Sequence, residues 1–176
     1  MRRNPPTKQR ILTEALNLFS VKGYGPVTVA EIADAADIKA PSLYKHYTGK
    51  QGIFNAIIAE MQASYERQTA SMQMDGINAE KDKALFLGSS EDKIIEMCMG
   101  LFLYFLHDEK VCKFRKMLAI EQYHNKELAA QYAQQYVDFP LSYQSAVFGL
   151  MSGAGAAITA NSQIMALQYM LPCISI

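Results

Sequence analysis

The stretch IKAPSLYKHYTGK, residues 38–50, decides how the N-terminal part of the chain folds. Its Pro41 indicates the start of a helix. Proline suits the first turn because the N–H that it lacks would have no partner within the helix there. The same stretch holds a serine, two tyrosines, a histidine and three lysines, namely Lys39, Lys45 and Lys50. The pattern predicts a short helix over residues 40–47 with a polar and basic surface.

Two helical segments precede this stretch. Apolar residues recur at helical spacing between Thr7 and Gly23, which predicts a first helix of about four turns. The sequence Thr-Val-Ala-Glu at residues 28–31 is a capping box, in which the Thr28 hydroxyl accepts the Glu31 amide and the carboxylate reaches back. A short second helix is therefore expected to begin there and to end near Ala36.

Two short helices joined by a tight turn form a helix-turn-helix, whose second helix enters the major groove of DNA. Ser42 is small enough to let the helix approach a duplex, and its hydroxyl can bond to a phosphate or a base edge. The three lysines supply cations for phosphates, and Thr28 begins a helix whose N-terminus attracts phosphate. Such helix pairs also occur as plain packing units, so the residues alone leave both interpretations open.

The distribution of charge favours a polyanion partner for the front of the chain. Residues 1–50 hold eight Lys/Arg against four Asp/Glu, an excess of +4, whereas residues 51–176 hold nine against thirteen, an excess of −4. The N-terminal part is therefore the expected DNA-binding part.

Other classes of protein fit the sequence less well. The three cysteines are odd in number and lack CxxC spacing, which predicts reduced thiols and a cytoplasmic protein. No cluster has metal-ligand spacing, and no phosphate loop or GxSxG motif occurs, so we expect no metal, no cofactor and no enzyme activity. The start MRRNPPTKQR lacks the apolar segment of a signal peptide, and no apolar stretch is long enough to span a membrane.

The rest of the chain is also predicted to be helical. A fourth helix begins at Lys50, and residues 73–90 predict a connection with at most one helical turn. A helix beginning after Ser89 or Ser90 is apolar nearly all round, so we expect it to be buried. Further helices are predicted at residues 109–123, 125–138, 142–153 and 162–171. Since no stretch alternates with the period of a strand, the fold class is all-α.

The motifs from Thr7 to Ile58 resemble the N-terminal domain of the TetR family of bacterial transcriptional regulators. The first helix ends FSVKGY, TVAEIADAADI follows, and LYKHY stands where the family usually has Leu-Tyr-x-His-Phe, with Lys50 after two further residues. Two positions depart from the family. Asp37 replaces the usual glycine of the turn and must tolerate a left-handed conformation, and Lys39 replaces the usual Ser or Thr cap.

The resemblance implies a three-helix helix-turn-helix DNA-binding domain at residues 1–49 and a helical ligand-binding and dimerisation domain at residues 50–176. A homodimer would present two recognition helices about one DNA turn apart to a palindromic operator. The residues that the resemblance brings to the DNA surface are Thr28, Lys39, Ala40, Pro41, Ser42, Tyr44, Lys45, Tyr47 and Lys50.

The resemblance also implies a small effector for the C-terminal domain. Methionine and tyrosine together suit an adaptable pocket for a bulky apolar or aromatic ligand, although each of them could equally be a core residue. The candidate lining residues are Met97, Phe102, Phe105, Met117, Tyr123, Tyr143, Phe148, Met151 and Tyr169. The stretch FGLMSGAGAA permits close approach of a helix or a ligand, and the sequence leaves both uses open.

The chain stops at LPCISI, where family members usually continue into a final pair of helices that forms the dimer interface. We therefore expect the C-terminus to be incomplete and predict no dimer residues. The sequence predicts a cytoplasmic TetR-like repressor that a small effector releases from its operator. The alternative is a ligand-binding or protein-docking module whose helix-turn-helix no longer reads DNA.

Overall fold

Helices form the regular structure of the chain in the computed structural model, which describes residues 5–124, 126, 130, 133–153 and 161–174. They are α1 Thr7–Lys22, α2 Val29–Ala35, α3 Ala40–Leu43, α4 Lys50–Ser71, α5 Ala79–Gly88, α6 Glu91–His107, α7 Glu109–Glu121, a π-helical turn Gln134–Asp138, α8 Phe139–Gly153 and α9 Ser162–Ile174. No strand occurs among those described residues, and the all-α prediction is confirmed.

The chain divides into two compact units. A front unit comprises Met1–Ala63 and Glu109–Asn125, and a rear unit comprises Ser64–Asp108 and Lys126–Ile176. This division differs from the functional boundary expected after residue 49, because the first part of α4, which begins at Lys50, belongs to the front unit together with α7, which packs along α1. The functional boundary stays a prediction.

The front unit is built around one face of α1. Its residues Ile11, Ala15 and Phe19 are fully buried at helical spacing. Three aromatic rings extend this core, since the ring centroid of Phe19 lies 5.4 Å from that of Tyr24 and 6.3 Å from that of Phe54. Contacts of this kind bury apolar surface from α1, the following turn and α4, and therefore fix these elements together.

The two predicted caps are confirmed, but the recognition helix is shorter than predicted. Thr28 and Glu31 form the reciprocal capping box of α2, and the Ser90 hydroxyl accepts the N–H of Lys93 at the start of α6. α3 ends at Leu43 instead of residue 47. The next N–H groups bond three residues back, as in His46 to Leu43 at 2.9 Å, which tightens the backbone after α3.

Two predictions for the rear unit are wrong. Residues 79–88 form a complete helix, α5, because the Asn78 side chain accepts the N–H of Glu80 and the buried Phe86 anchors the last turn. α6 is not buried all round, since packing covers only one of its sides. Met97 and Leu101 are its buried residues, whereas the exposed ones include Ile95, Met99 and Leu103.

The remaining helix predictions differ mainly at their ends. α7 ends at Glu121, α8 begins at Phe139 instead of residue 142, and α9 extends to Ile174. Of the helix predicted at 125–138, the structure describes only parts. The Ala154, Gly155, Ala156 and Ala157 part of the glycine-rich stretch, and the side chains from Pro172 onward, lie outside what the structure describes.

Candidate nucleic-acid interface

The turn between α2 and α3 has the backbone conformation predicted from the sequence. Asp37 adopts a left-handed conformation with φ 52°, which glycine takes more readily than a residue with a side chain. The Arg10 guanidinium of α1 donates to the carbonyl oxygens of Ala36 at 2.8 Å and Asp37 at 3.4 Å. α1 thereby fixes the turn that sets the direction of α3.

α3 presents a polar and basic outer side. Leu43 is fully buried and anchors the helix, whereas Lys39, Pro41, Tyr44 and Lys45 are exposed. The Lys39 side chain makes no cap to α3, so the start of the helix keeps N–H groups that an anion can accept from. Ala40 and Ser42 are half-buried beside them. Lys39 and the small residues therefore lie at the start of α3, and the exposed Tyr44 and Lys45 follow its end.

Tyr47 and Lys50 use their polar atoms within the protein. Tyr47 is 8% exposed, and its hydroxyl donates to the carbonyl oxygen of Lys8 at 3.3 Å. Burial and then the charge of Glu60 raise the pKa of Tyr47. The Lys50 ammonium donates to three backbone carbonyls of the turn between α1 and α2. Duplex contacts by these two residues stay predictions.

Thr28 is exposed at the N-terminus of α2, where its hydroxyl is already engaged. The hydroxyl donates to Glu31 Oε2 at 2.9 Å and accepts the Glu31 N–H at 3.2 Å. Hydrogen bonds from Lys22 and from Thr28 lower the pKa of Glu31 to about 2. A phosphate contact by the Thr28 hydroxyl would require the exchange of its bond to Glu31.

The nine candidate effector residues are divided between the two units. Met117, which is fully buried, and Tyr123, which is 82% exposed, belong to the front unit. The other seven belong to the rear unit, where Met97 and Tyr143 are core residues. The predicted pocket therefore cannot include all nine residues within one unit.

Aromatic contacts occupy several of the rear candidates. The Phe102 and Tyr169 ring centroids lie 6.3 Å apart, and the Phe105 ring lies 6.0 Å from that of Tyr65. The Tyr169 hydroxyl donates to the Cys98 carbonyl at 2.6 Å. Phe148 and Met151 are half-buried on α8. An effector role for each of these side chains stays a prediction.

The front unit also contains a groove that the sequence analysis did not predict. An open groove of the front unit lies among α1, α4 and α7, with Leu12, Leu16, Ile57 and Met61 among its lining residues and none of the nine candidates. Across residues 5–124 and the later described segments, no three His, Cys, Asp or Glu side chains are grouped to hold a metal. None of the helices described there combines the length and apolar character needed to cross a membrane.

The sequence patterns missed Arg10, Tyr24 and Glu121, which hold the two turns of this unit. Arg10 and Glu121 are each a charged residue on the otherwise apolar side of a helix. This pattern is too common in sequences to indicate a particular role. Tyr24 follows the glycine that ends α1, and this position in the sequence does not indicate which residues Tyr24 contacts.

The front unit contains a helix-turn-helix. Its parts are the capped α2, the left-handed turn and the short α3, which has an exposed basic side. Residues 11–57 match the model of a family described as "Bacterial regulatory proteins, tetR family". The match covers the front of the chain, so residues 11–57 form a domain of the TetR family of bacterial regulatory proteins.

Curated relatives match this part of the chain. An uncharacterised HTH-type transcriptional regulator of Bacillus subtilis, YdgC, is 32% identical over 75 residues, which are 42% of this chain and 38% of YdgC. The negative transcriptional regulator of the biofilm operon icaADBC of Staphylococcus epidermidis, IcaR, is 43% identical over 47 residues, 27% of this chain and 25% of IcaR. The matches thus span well under half the length of these relatives.

Solved structures are similar over nearly the whole chain. GusR of Salmonella enterica has a TM-score of 0.60 at 18% identity and covers 98% of this chain and 82% of its own. The fatty acid degradation regulator FadR of Bacillus halodurans has a TM-score of 0.57 at 14% identity, with coverage of 98% and 82%. At these identities the similarity establishes the fold alone.

Proposed function

We propose that this protein is a transcriptional repressor of the cytoplasm that binds a palindromic operator as a homodimer, and that it has no catalytic role. The exposed basic side of α3 is the observation that carries the proposal. Lys39 lies at the start of α3, which has no side-chain cap, and Lys45 follows the end of the helix; exposed cations of this kind suit phosphates. The similarity to IcaR, a negative transcriptional regulator, supports repression.

The proposed contacts fall into two groups. Ala40, Pro41 and Ser42 lie at the start of α3, where small side chains allow the backbone to approach the major groove. Lys39, Tyr44 and Lys45 are exposed around them, and their cationic or hydroxyl groups suit the phosphate backbone. The first group therefore supplies sequence readout, and the second supplies affinity that depends on salt.

A small apolar or aromatic effector is proposed to release the operator. Such a ligand must bind more tightly to a conformation whose two α3 helices no longer match successive turns of the duplex. Within the rear unit, Phe102, Phe105 and Tyr169 are aromatic and only partly buried, so they supply accessible apolar surface.

Selection of sequences from a random pool of duplexes tests the proposal. The native protein is expected to enrich a palindrome, and Lys45→Ala is expected to weaken binding to every duplex. Lys83→Ala on α5 is the matched control, because it removes the same charge outside residues 11–57. Its expected affinity is that of the native protein.

No enrichment by a folded dimer would contradict the proposal and favour the protein-docking or ligand-binding alternative. Equal losses in Lys45→Ala and Lys83→Ala would also contradict it, since the charge of α3 would then have no special role. If a palindrome is enriched, a fluorescently labelled duplex of that sequence can be used to screen for effectors. Small hydrophobic compounds are expected to release the protein from this duplex.

A further inference from the structure

Two charged side chains from other helices hold the turn between α1 and α2, residues 23–28. Lys50 at the start of α4 donates from Nζ to the carbonyl oxygens of Tyr24 at 2.8 Å, Gly25 at 3.0 Å and Val27 at 2.8 Å. An ammonium group has three N–H donors, so these bonds use all of them. The ammonium also lies 4.3 Å from the centroid of the Tyr24 ring, a favourable cation–π distance.

Glu121 at the end of α7 holds the same turn from another direction. Its carboxylate is 5% exposed and accepts the Tyr24 N–H at 2.6 Å, across 97 residues of sequence. A Cβ on Gly23 would lie 2.9 Å from Ile120 Cγ2 and 3.1 Å from the Glu121 carboxylate, and Gly23 has φ +80°. Glycine is therefore required, and the end of α7 lies directly against the backbone of the turn.

The turn leads directly into the start of α2. Val27, the last carbonyl acceptor of Lys50, is 1% exposed, and Thr28 next to it caps α2. α2 is the first helix of the helix-turn-helix, which crosses the DNA backbone while the second helix enters the groove. A shift of the turn would therefore move α2 relative to a bound duplex.

We propose that the Lys50 ammonium and the Glu121 carboxylate make these residues positioning residues for duplex binding, because both groups fix the α1–α2 turn and neither is itself a ligand of the duplex. This inference rests on the proposed function. The Lys50 donors are occupied by carbonyls that would lose their partner if the ammonium moved to a phosphate. Glu121 is a buried anion, and a phosphate would repel it.

Salt dependence separates a positioning residue from a phosphate ligand. Each phosphate contact contributes about 0.9 to the slope of log affinity against log salt. Lys45→Ala is expected to reduce the slope by about that amount per protomer, whereas Lys50→Met is expected to weaken binding about tenfold with the native slope. A slope reduction in Lys50→Met equal to that in Lys45→Ala would overturn the inference.

Hydrogen exchange gives a readout at the turn itself. Glu121→Leu removes the acceptor, so the Tyr24 amide is expected to exchange at least about tenfold faster, with the Ile57 amide in α4 unchanged as the internal control. Duplex affinity is expected to fall with the slope preserved. Glu121→Gln retains an acceptor oxygen, so it is expected to restore both properties toward the native values. Native affinity in Glu121→Leu, or unchanged exchange of Tyr24, would overturn the role of Glu121.

The two proposals fail in different ways. If the native protein selects no duplex, the proposed function fails, and the positioning role fails with it. The native protein could select a duplex while Lys50→Met reduces the salt slope as much as Lys45→Ala does, or while Glu121→Leu keeps native affinity or native exchange of Tyr24. In that case only the positioning role fails. Exchange of Tyr24 is measured without DNA and therefore decides independently whether Glu121 fixes the turn.

Discussion

Each unit of the molecule buries a carboxylate that holds a backbone turn, but the two carboxylates reach their turns differently. In the rear unit, Asp82 is 3% exposed and accepts the N–H groups of Asp75 at 2.7 Å and Gly76 at 2.9 Å. It also accepts the Tyr143 hydroxyl at 2.6 Å. In the front unit, Glu121 accepts one N–H from a turn 97 residues away.

The comparison shows that the two turns depend on different parts of the chain. The rear turn is held largely by α5, which follows it within a few residues, so it can form as soon as that helix forms. The front turn needs α7, which is synthesised long after α1 and α2. Local hydrogen bonds therefore organise one turn, and long-range packing organises the other.

Removal of the rear carboxylate should give the largest effect. Asp82→Ala leaves the N–H groups of Asp75 and Gly76 and the Tyr143 hydroxyl without their acceptor, and each loss costs about 1–3 kcal/mol. We expect the rear unit to lose about 4 kcal/mol of unfolding free energy. Native-state hydrogen exchange measures this, with amides of α5 and α8 losing protection.

Lys83→Ala serves as the control for this variant, because it changes an exposed residue beside Asp82 on α5. Its exchange should match that of the native protein. If Asp82→Ala instead exposed amides of α1 to the same extent as those of α5, the two carboxylates would not act separately, and the comparison would fail.

High pH should weaken the rear turn next. The Tyr65 hydroxyl donates to the Gly76 carbonyl at 2.8 Å, and burial raises the pKa of Tyr65 to about 12. The unfolded chain loses this proton near pH 10 while the folded chain keeps it, so stability present below pH 10 is lost as the pH rises toward 12. We expect a loss of about 1 kcal/mol between pH 9 and pH 11.

Urea unfolding at the two pH values checks this expectation in the native protein and in Tyr65→Phe. The variant removes this ionisation, so its stability should depend less on pH. An identical pH dependence in both proteins would show that the Tyr65 phenol does not contribute, and other buried tyrosines would then account for the loss.

The cap of α2 should contribute less than either of these, and only in the front unit. Thr28→Ala removes the hydroxyl of the capping box and should cost about 1 kcal/mol. The pKa of Glu31 should rise from about 2 toward its ordinary value, since one of its hydrogen bonds is lost. Stability from the lowered pKa of Glu31 is present above pH 4.5 and is lost as the pH falls through about 2.

Carbon-detected NMR titration of Glu31 measures this change directly, and Thr28→Ser should keep the native pKa because it retains the hydroxyl. A native pKa in Thr28→Ala would mean that Lys22 and the backbone N–H of residue 28 set the pKa of Glu31 without the hydroxyl. The hydrogen bond between the Thr28 hydroxyl and Glu31 would then not count among the local interactions that stabilise the front unit.

The smallest expected effect is a gain. Asp37→Gly relieves a left-handed residue and should stabilise the front unit by about 0.5 kcal/mol. Thermal unfolding measures the gain, and Asp34→Gly on α2 is the contrasting control, since glycine within a helix should destabilise. A loss of stability in Asp37→Gly would mean that the Asp37 side chain contributes more than its backbone costs.

The parts of the fold predicted from the sequence are those set by neighbouring residues. The capping box at Thr28 and the cap at Ser90 each follow from two to four adjacent positions, and the conformation of Asp37 follows from the family resemblance, since this position of the turn usually carries glycine. The family resemblance over Thr7–Ile58 gave the helix-turn-helix and the candidate DNA surface. These predictions did not require knowledge of the contacts between residues that are distant in the sequence.

The remaining parts depend on contacts between distant residues. The three carbonyl acceptors of Lys50 could not be predicted, because a basic residue at a helix start has the same appearance in the sequence whether it faces solvent or three carbonyls. Its contact with a duplex stays a prediction. Burial of α6 was overestimated for a similar reason, since apolar content does not reveal which side finds a partner. The effector candidates were chosen by residue type, and the structure distributes them over both units.

The position of α7 in the front unit has a consequence for engineering. Reading domains of regulators are attractive as portable cassettes for chimeras, and a cut after Ala63 follows the end of the first continuous segment of this unit. Such a cassette would leave Glu121 and the packing of α7 on α1 behind, unless the recipient supplies both. A transferable version of this protein's DNA-binding part must therefore carry two separate pieces of the chain.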